Sequence, residues 1–147
     1  MNLVFKGGGF ELTVYVKSFE VKTKNRLELI NVTEQVGEIV KNSRISNGIV
    51  VIFTKHTTTG ITINEYESGL LQDLLSKFSE IAPQGAGYLH DRIDNNADSH
   101  LKCSLLGNSV SAPVVDGLLS LGTWQSVLFG EFDGPKTRTI LVSVTGE

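Results

Sequence analysis

Each of the three histidines in this 147-residue chain stands beside residues that handle protons, metals or phosphates. His56 precedes three threonines and a glycine, His90 precedes Asp91, and His100 follows Asp98 in a stretch that also holds Asp94, Asn95 and Asn96. Ionisable groups at that density are costly in an apolar interior unless paired or coordinated, so the crowding between His90 and His100 points to a site. Two chemistries fit the residue types. In the first, His56, His90 and His100 hold a divalent metal, Zn or Mg, with one position open, and Glu65 and Asp98 orient the imidazoles from behind. The spacing matches neither HxxxH nor HExxH, so this reading depends on the fold bringing the three together. In the second, the histidines work without a tightly held metal. Lys102, Ser104, Ser109, Asn96 and the amides that open a helix near Asn95 then surround the phosphate of a small phosphorylated metabolite. In either case Trp124 and Gln125 can stack on and hydrogen-bond a flat heterocycle.

Plainer roles compete for several of these groups. Thr57 to Thr59 with Gly60 also read as a turn, Trp124 as a core or interface residue, and Cys103 as a small core hydrophobe. Glu131, Asp133 and Arg138 read as a carboxylate–guanidinium set that pins the last turn or bridges subunits, with an exposed pair contributing about 1 kcal/mol or less.

The elements that must position these residues can be read from apolar periodicity. The stretch MNLVFKGGG reads as a loose extension, and it lacks the Gly-Lys-Ser/Thr of a phosphate loop. Leu12, Val14 and Val16 alternate before the phase slips to Phe19 and Val21, which predicts a long strand with a bulge near Ser18. A turn at Lys24-Asn25 and a strand through Leu27 and Leu29 complete an expected hairpin. Asn31 with Glu34 fits a capping pattern for a helix reaching Asn42, stopped by Asn47-Gly48. The unbroken apolar run Ile49 to Phe53 predicts a central strand covered on both faces. Ile61 and Ile63 continue as a short strand. Asn64 with Glu67 opens the longest helix, carrying Leu70, Leu71, Leu74, Leu75, Phe78 and Ile81 up to Pro83. A short third helix starts at Asn95 or Asn96 and ends at Gly107. Val110 to Val115 and Gly117 to Phe132 read as strands joined by the hairpin signal Asp116-Gly117. Ile140, Val142 and Val144 alternate in a closing strand, with Leu141 facing a helix or a neighbouring subunit.

This pattern predicts one domain over residues 1–147 of class α+β, with mainly antiparallel strands in a strongly curved or barrel-like sheet, two principal helices and a short third. The charge balance, 13 Lys and Arg against 16 Asp and Glu, comes without a basic run and argues against nucleic acid. A lone cysteine and the absence of a long apolar segment fit a cytoplasmic protein that does not enter the membrane.

Three segments carry a resemblance: HTTTGITINE at 56–65, NADSHLKCSLLGNS at 96–109 and LGTWQSVLFGEFDGP at 121–135. In order and spacing they resemble the YjbQ family, with similarity over nearly the whole chain. The resemblance implies a homotrimer of compact α+β subunits with a secondary thiamine-phosphate synthase activity. That reaction joins a pyrimidine pyrophosphate to a thiazole phosphate with loss of pyrophosphate. The expectation is therefore a transferase-like or metal-dependent enzyme of phosphorylated small molecules, with a trimeric ligand-binding or regulatory protein as the alternative. The site is expected in a cleft lined by His56, His90 and His100, with Glu65 and Asp98 in support and Trp124, Gln125, Asn96 and Ser104 holding the ligand.

Overall fold

In the structure, a computed structural model that describes residues 2–7 and 10–147, the strands sort into two antiparallel sheets. The larger has the order β1-β2-β9-β4-β6-β7, built from Asn2–Gly7, Phe10–Lys22, Thr137–Gly146, Gly48–Thr54, Ser109–Val115 and Leu118–Leu119. The smaller has the order β3-β8-β5, from Glu28–Asn31, Ser126–Glu131 and Thr59–Asn64. Three helices complete the fold: α1 (Thr33–Ser43), α2 (Ser68–Ile81) and α3 (Ala97–Leu106). The α+β class and the antiparallel pairing agree with the sequence. The barrel does not, because neither sheet closes or curls strongly.

One apolar cluster joins the two sheets and α1. Val50 and Ile52 of β4, Ile140, Val142 and Val144 of β9, Ile61 of β5, Phe129 of β8 and Val36 and Val40 of α1 all belong to it. Strand periodicity puts alternate residues on the inner face, and β9 follows this strictly. The expected bulge near Ser18 is absent, since β2 pairs with β9 one to one from Thr13↔Gly146 to Lys22↔Thr137. The apparent phase slip is a change of face. Tyr15, Phe19 and Val21 pack inward, whereas the register aligns Val14 and Val16 with Thr145 and Ser143 on the outer face.

That outer face also corrects the expectation for Ile49 to Phe53. The run is an interior strand of its sheet, but Ile49 and Val51 are exposed, so within one chain it is covered on one side. The predicted hairpin of the first two strands is replaced as well, because β3 leaves β2 and pairs with β8 in the other sheet. The N-terminal stretch read as a loose extension contributes β1, paired with β2 from Asn2↔Tyr15 to Gly7↔Phe10. Gly8 and Gly9 of its triple glycine lie outside the described residues.

Local signals set the helix ends. Arg44, at φ 60°, ends α1 three residues ahead of the expected Asn47-Gly48. Glu67 caps α2 by accepting from the amides of Gly69 and Leu70. The Asp116-Gly117 turn has positive φ at both residues, as its hairpin requires, although the strand it opens is only Leu118–Leu119 and the chain then crosses to β8. Placement of α3 depends on two glycines. Gly60 of β5 and Gly130 of β8 are ladder partners, and a Cβ on either would lie within 3 Å of Leu106. The bare backbone lets α3 settle against β5, where the amide of Ile61 donates to the Gly107 carbonyl at 2.9 Å.

Candidate functional site

The loop between β4 and β5 is tied down at both ends. Thr54 and Thr59 share a hydroxyl hydrogen bond of 2.7 Å, and the Thr54 amide donates to the Asn108 carbonyl at 2.9 Å. Between them, His56 accepts at Nε2 from the Thr139 amide of β9 at 3.1 Å. Burial, then the Arg138 and Lys136 charges, hold the His56 pKa below its ordinary value, against an opposing effect of Glu131. A neutral ring whose Nε2 accepts must carry its proton on Nδ1, and Nδ1 makes no hydrogen bond among the described residues.

The facing wall comes from α3. His100 and, one turn on, Cys103 and Ser104 line a pocket of about 300 Å³ with His56, Phe53, Thr54, Lys55, Thr57 and Asn108. Its lining contains two imidazoles and one ammonium, with no carboxylate. Lys55 makes no ion pair among the described residues, and the Ser104 hydroxyl donates to the His100 carbonyl at 3.0 Å. Burial pushes the Cys103 thiol up, so it stays protonated and is no thiolate nucleophile. His90, exposed on a 3-10 turn at Leu89–Arg92, stands edge-on to His100 with ring centroids 4.8 Å apart.

Behind this pocket lie two buried ion pairs. Glu131, fully buried, accepts two hydrogen bonds from Arg138, at 2.6 Å from Nε and 2.7 Å from Nη2. Arg138 Nη2 also donates to Thr58 Oγ1 at 3.1 Å, and Glu131 further accepts from the amides of Phe132 and Asp133. Of the set expected to pin the last turn or bridge subunits, Glu131 and Arg138 form an internal clamp of one chain, while Asp133 pairs instead with Arg26 and Lys136. Breaking the Glu131–Arg138 pair leaves an uncompensated buried charge and costs about 3–5 kcal/mol. In the second pair, Lys102 Nζ donates to Asp98 at 2.6 Å and to the Ala82 carbonyl at 2.7 Å, while Arg26 reaches the other Asp98 oxygen at 2.8 Å.

Several expected roles change on this geometry. Asp98 is committed to Lys102 and Arg26, which also removes Lys102 from any phosphate. Glu65 is exposed just beyond β5. Trp124 is 73% exposed, and Gln125 lines a different groove, of about 470 Å³, with Gly37, Leu118, Leu119 and Leu121. Asn96 donates to Asp133 at 3.2 Å. At the start of α3, two of the amides expected to hold an anion are taken, because Asp91 accepts from the Ala97 amide and the Ser99 amide bonds the Asn96 carbonyl. Among the described residues no group of three or more His, Cys, Asp or Glu could hold a metal ion. His56 and His100 share the pocket and His90 touches His100, but the three do not form a ligand set within one chain.

Comparison with known proteins places the chain in a family. Residues 17–147 match the profile of the family described as UPF0047 protein YjbQ-like. The chain belongs to the UPF0047 family. A UPF0047 protein of Archaeoglobus fulgidus is 52% identical over 83% of this chain and 94% of its own length. One from Methanothermobacter thermautotrophicus is 47% identical over 95% and 97% of the two chains. The fold is also that of a solved structure, a YbjQ-like protein of unknown function from Sulfolobus solfataricus P2. It superposes with a TM-score of 0.91 at 41% identity, covering 92% of this chain and 99% of that one.

Sequence reasoning did not single out Lys55, Asn108 or the Thr139 amide. Lys55 adjoins the segment 56–65 and Asn108 lies within the segment 96–109. The Thr139 contact spans 83 positions and leaves no trace in local spacing.

Proposed function

We propose that the His56–His100 pocket binds the phosphate or pyrophosphate group of a small metabolite, and that the protein acts on such substrates. The observation that carries this is the lining itself: Lys55, His56, His100, Thr57 and Asn108 bring donors and positive charge, and no carboxylate faces them. An ammonium and imidazole N–H groups at a partly enclosed site suit an oxyanion, since hydrogen bonds with a charged partner are about twice as strong as neutral ones. In a transfer reaction that releases pyrophosphate, the same donors would stabilise the departing charge. Thiamine-phosphate synthase activity, expected from the family resemblance, is the narrower form of this proposal.

The same reading includes a homotrimer. Its support is the open outer face of the larger sheet, where Leu3, Leu12, Ile49, Val51 and Val115 are exposed and Val14 and Val16 are half-buried. Apolar faces of this kind mark interaction surfaces. Phe53 stands on this outer face, level with Leu141 of β9, and also lines the pocket. A subunit covering the sheet would therefore roof the site.

One observation favours a binding protein over an enzyme. The carboxylates nearest the pocket, Asp98 and Glu131, are tied up in ion pairs, and the Cys103 thiol is protonated. That leaves the imidazoles as the groups able to move protons. Supplying the protein with a pyrimidine pyrophosphate and a thiazole phosphate, and with a broader panel of phosphorylated metabolites, separates the two. Pyrophosphate or phosphate release that disappears in His56→Ala supports the enzyme. Tight binding with no histidine-dependent turnover supports the binding protein.

A further inference from the structure

We infer that Arg138 is a positioning residue for the His56 site. Held at Nε and Nη2 by Glu131, it anchors Thr58, and this keeps His56 against the Thr139 amide in the form that carries its proton on Nδ1. The argument is geometric. Residues 138 and 139 are neighbours in β9, and each fixes one residue of the loop that leaves β4: Arg138 Nη2 donates to Thr58 Oγ1 at 3.1 Å, and the Thr139 amide donates to His56 Nε2 at 3.1 Å. Arg138 runs inward to Glu131 and Thr58, and because β4 pairs with β9 only as far as Thr54↔Ile140, the next amide of β9, that of Thr139, meets the imidazole.

A loop of four residues, Lys55 to Thr58, is thereby held at two successive positions of one rigid strand. Glu131 in turn is fixed by Arg138, by the amides of Phe132 and Asp133, and by the Thr23 hydroxyl at 3.3 Å. A guanidinium suits this task because its planar fork bonds a carboxylate twice and still offers an N–H elsewhere. A buried ion pair adds little net stability over an apolar replacement, whereas it can set an orientation that an apolar contact could not. The result is an imidazole whose acceptor is satisfied and whose free donor is Nδ1–H.

The inference rests on the reading of the pocket as the site, but its test needs no ligand. Nitrogen-15 correlation spectra of the histidine rings distinguish Nδ1–H from Nε2–H, and the His56 signals are assigned by their loss in His56→Gln. Wild-type protein is expected to show His56 mainly as Nδ1–H. Thr58→Val, which keeps the shape and removes the hydroxyl, and Arg138→Gln should each lower the Nδ1–H to Nε2–H ratio about fivefold, the scale of one net hydrogen bond. Arg138→Lys, which keeps the charge, should recover part of it. A role confined to holding the hairpin would lower the melting temperature of Arg138→Gln and leave the His56 tautomer of folded Thr58→Val as in wild type, and that result overturns the inference. If Arg138→Gln fails to fold, Thr58→Val decides. Failure of wild-type protein to bind inorganic pyrophosphate would defeat the pocket reading and leave this one standing.

Discussion

Gly60 of β5 stands opposite Gly130 of β8, and the space left by their two missing side chains is filled by Leu106 of α3. A Cβ at Gly60 would lie 2.8 Å from the Gly107 carbonyl oxygen and from Leu106, and one at Gly130 would lie 2.9 Å from Leu106. Gly60→Ala is therefore expected to destabilise by about 1–3 kcal/mol through overpacking, with α3 displaced and the pocket widened. Urea unfolding checks the first, and the volume of the His56–His100 pocket in a crystal structure of the variant checks the second. A variant as stable as wild type would show that α3 is not seated by this contact.

Glu131→Ala removes one member of a fully buried pair. Arg138 is then left charged with Thr58 as its remaining hydrogen-bond partner. A loss of about 3–5 kcal/mol is expected, read as a lower denaturant midpoint with an unchanged slope. A loss below 1 kcal/mol would mean that solvent reaches the guanidinium and that the clamp is not internal.

Acid stability should report on Asp98 and Asp133. Burial pushes the Asp98 carboxyl up, but its hydrogen bonds with Lys102 and Arg26 outweigh this and hold it below the ordinary carboxylate value. For Asp133, burial is likewise outweighed by bonds to Lys136 and Asn96. Both pKa values are lower in the folded chain, so the unfolded chain binds more protons in the interval between the two values. The stabilisation is complete above the ordinary carboxylate range and is lost as pH falls through the depressed values. Melting temperature followed down in pH should drop steeply below about pH 4, and less steeply in Asp98→Asn. An identical profile in that variant would contradict the assignment.

The outer face of the larger sheet gives a prediction on assembly. If Ile49 and Val51 are covered by another copy, light scattering on wild-type protein gives the mass of a trimer, and Val51→Lys lowers it to that of a monomer. A monomeric wild type would remove the trimer from the account.

The sequence made the helices and most strands legible because their cues are local. The apolar spacing from Leu70 to Ile81 and the Asp116-Gly117 turn each act within a few residues, whereas the cap expected from Asn64 with Glu67 falls on Glu67 alone, Asn64 ending β5. Pairing across the chain was less legible. The alternation through Leu12, Val14 and Val16 is real, but both faces of β2 are apolar, so periodicity alone could not separate a bulge from a change of face. In the same way, Leu27 and Leu29 mark a strand without saying which sheet it joins. For the site, residue types identified His56 and His100, which the structure places on one pocket. They could not show that Asp98 is spent on Lys102, because an Asp four residues before a Lys looks the same on a solvated helix face as in a buried pair.

The most direct test of the central claim is a calorimetric titration of inorganic pyrophosphate into wild-type protein, His56→Ala and His100→Ala. Wild type is expected to bind. Each variant should bind about tenfold or more weakly, the scale of one lost charge-assisted hydrogen bond, with a melting temperature close to that of wild type. No binding by wild type, or equal binding by all three proteins, would contradict the assignment of the His56–His100 pocket as a phosphate site.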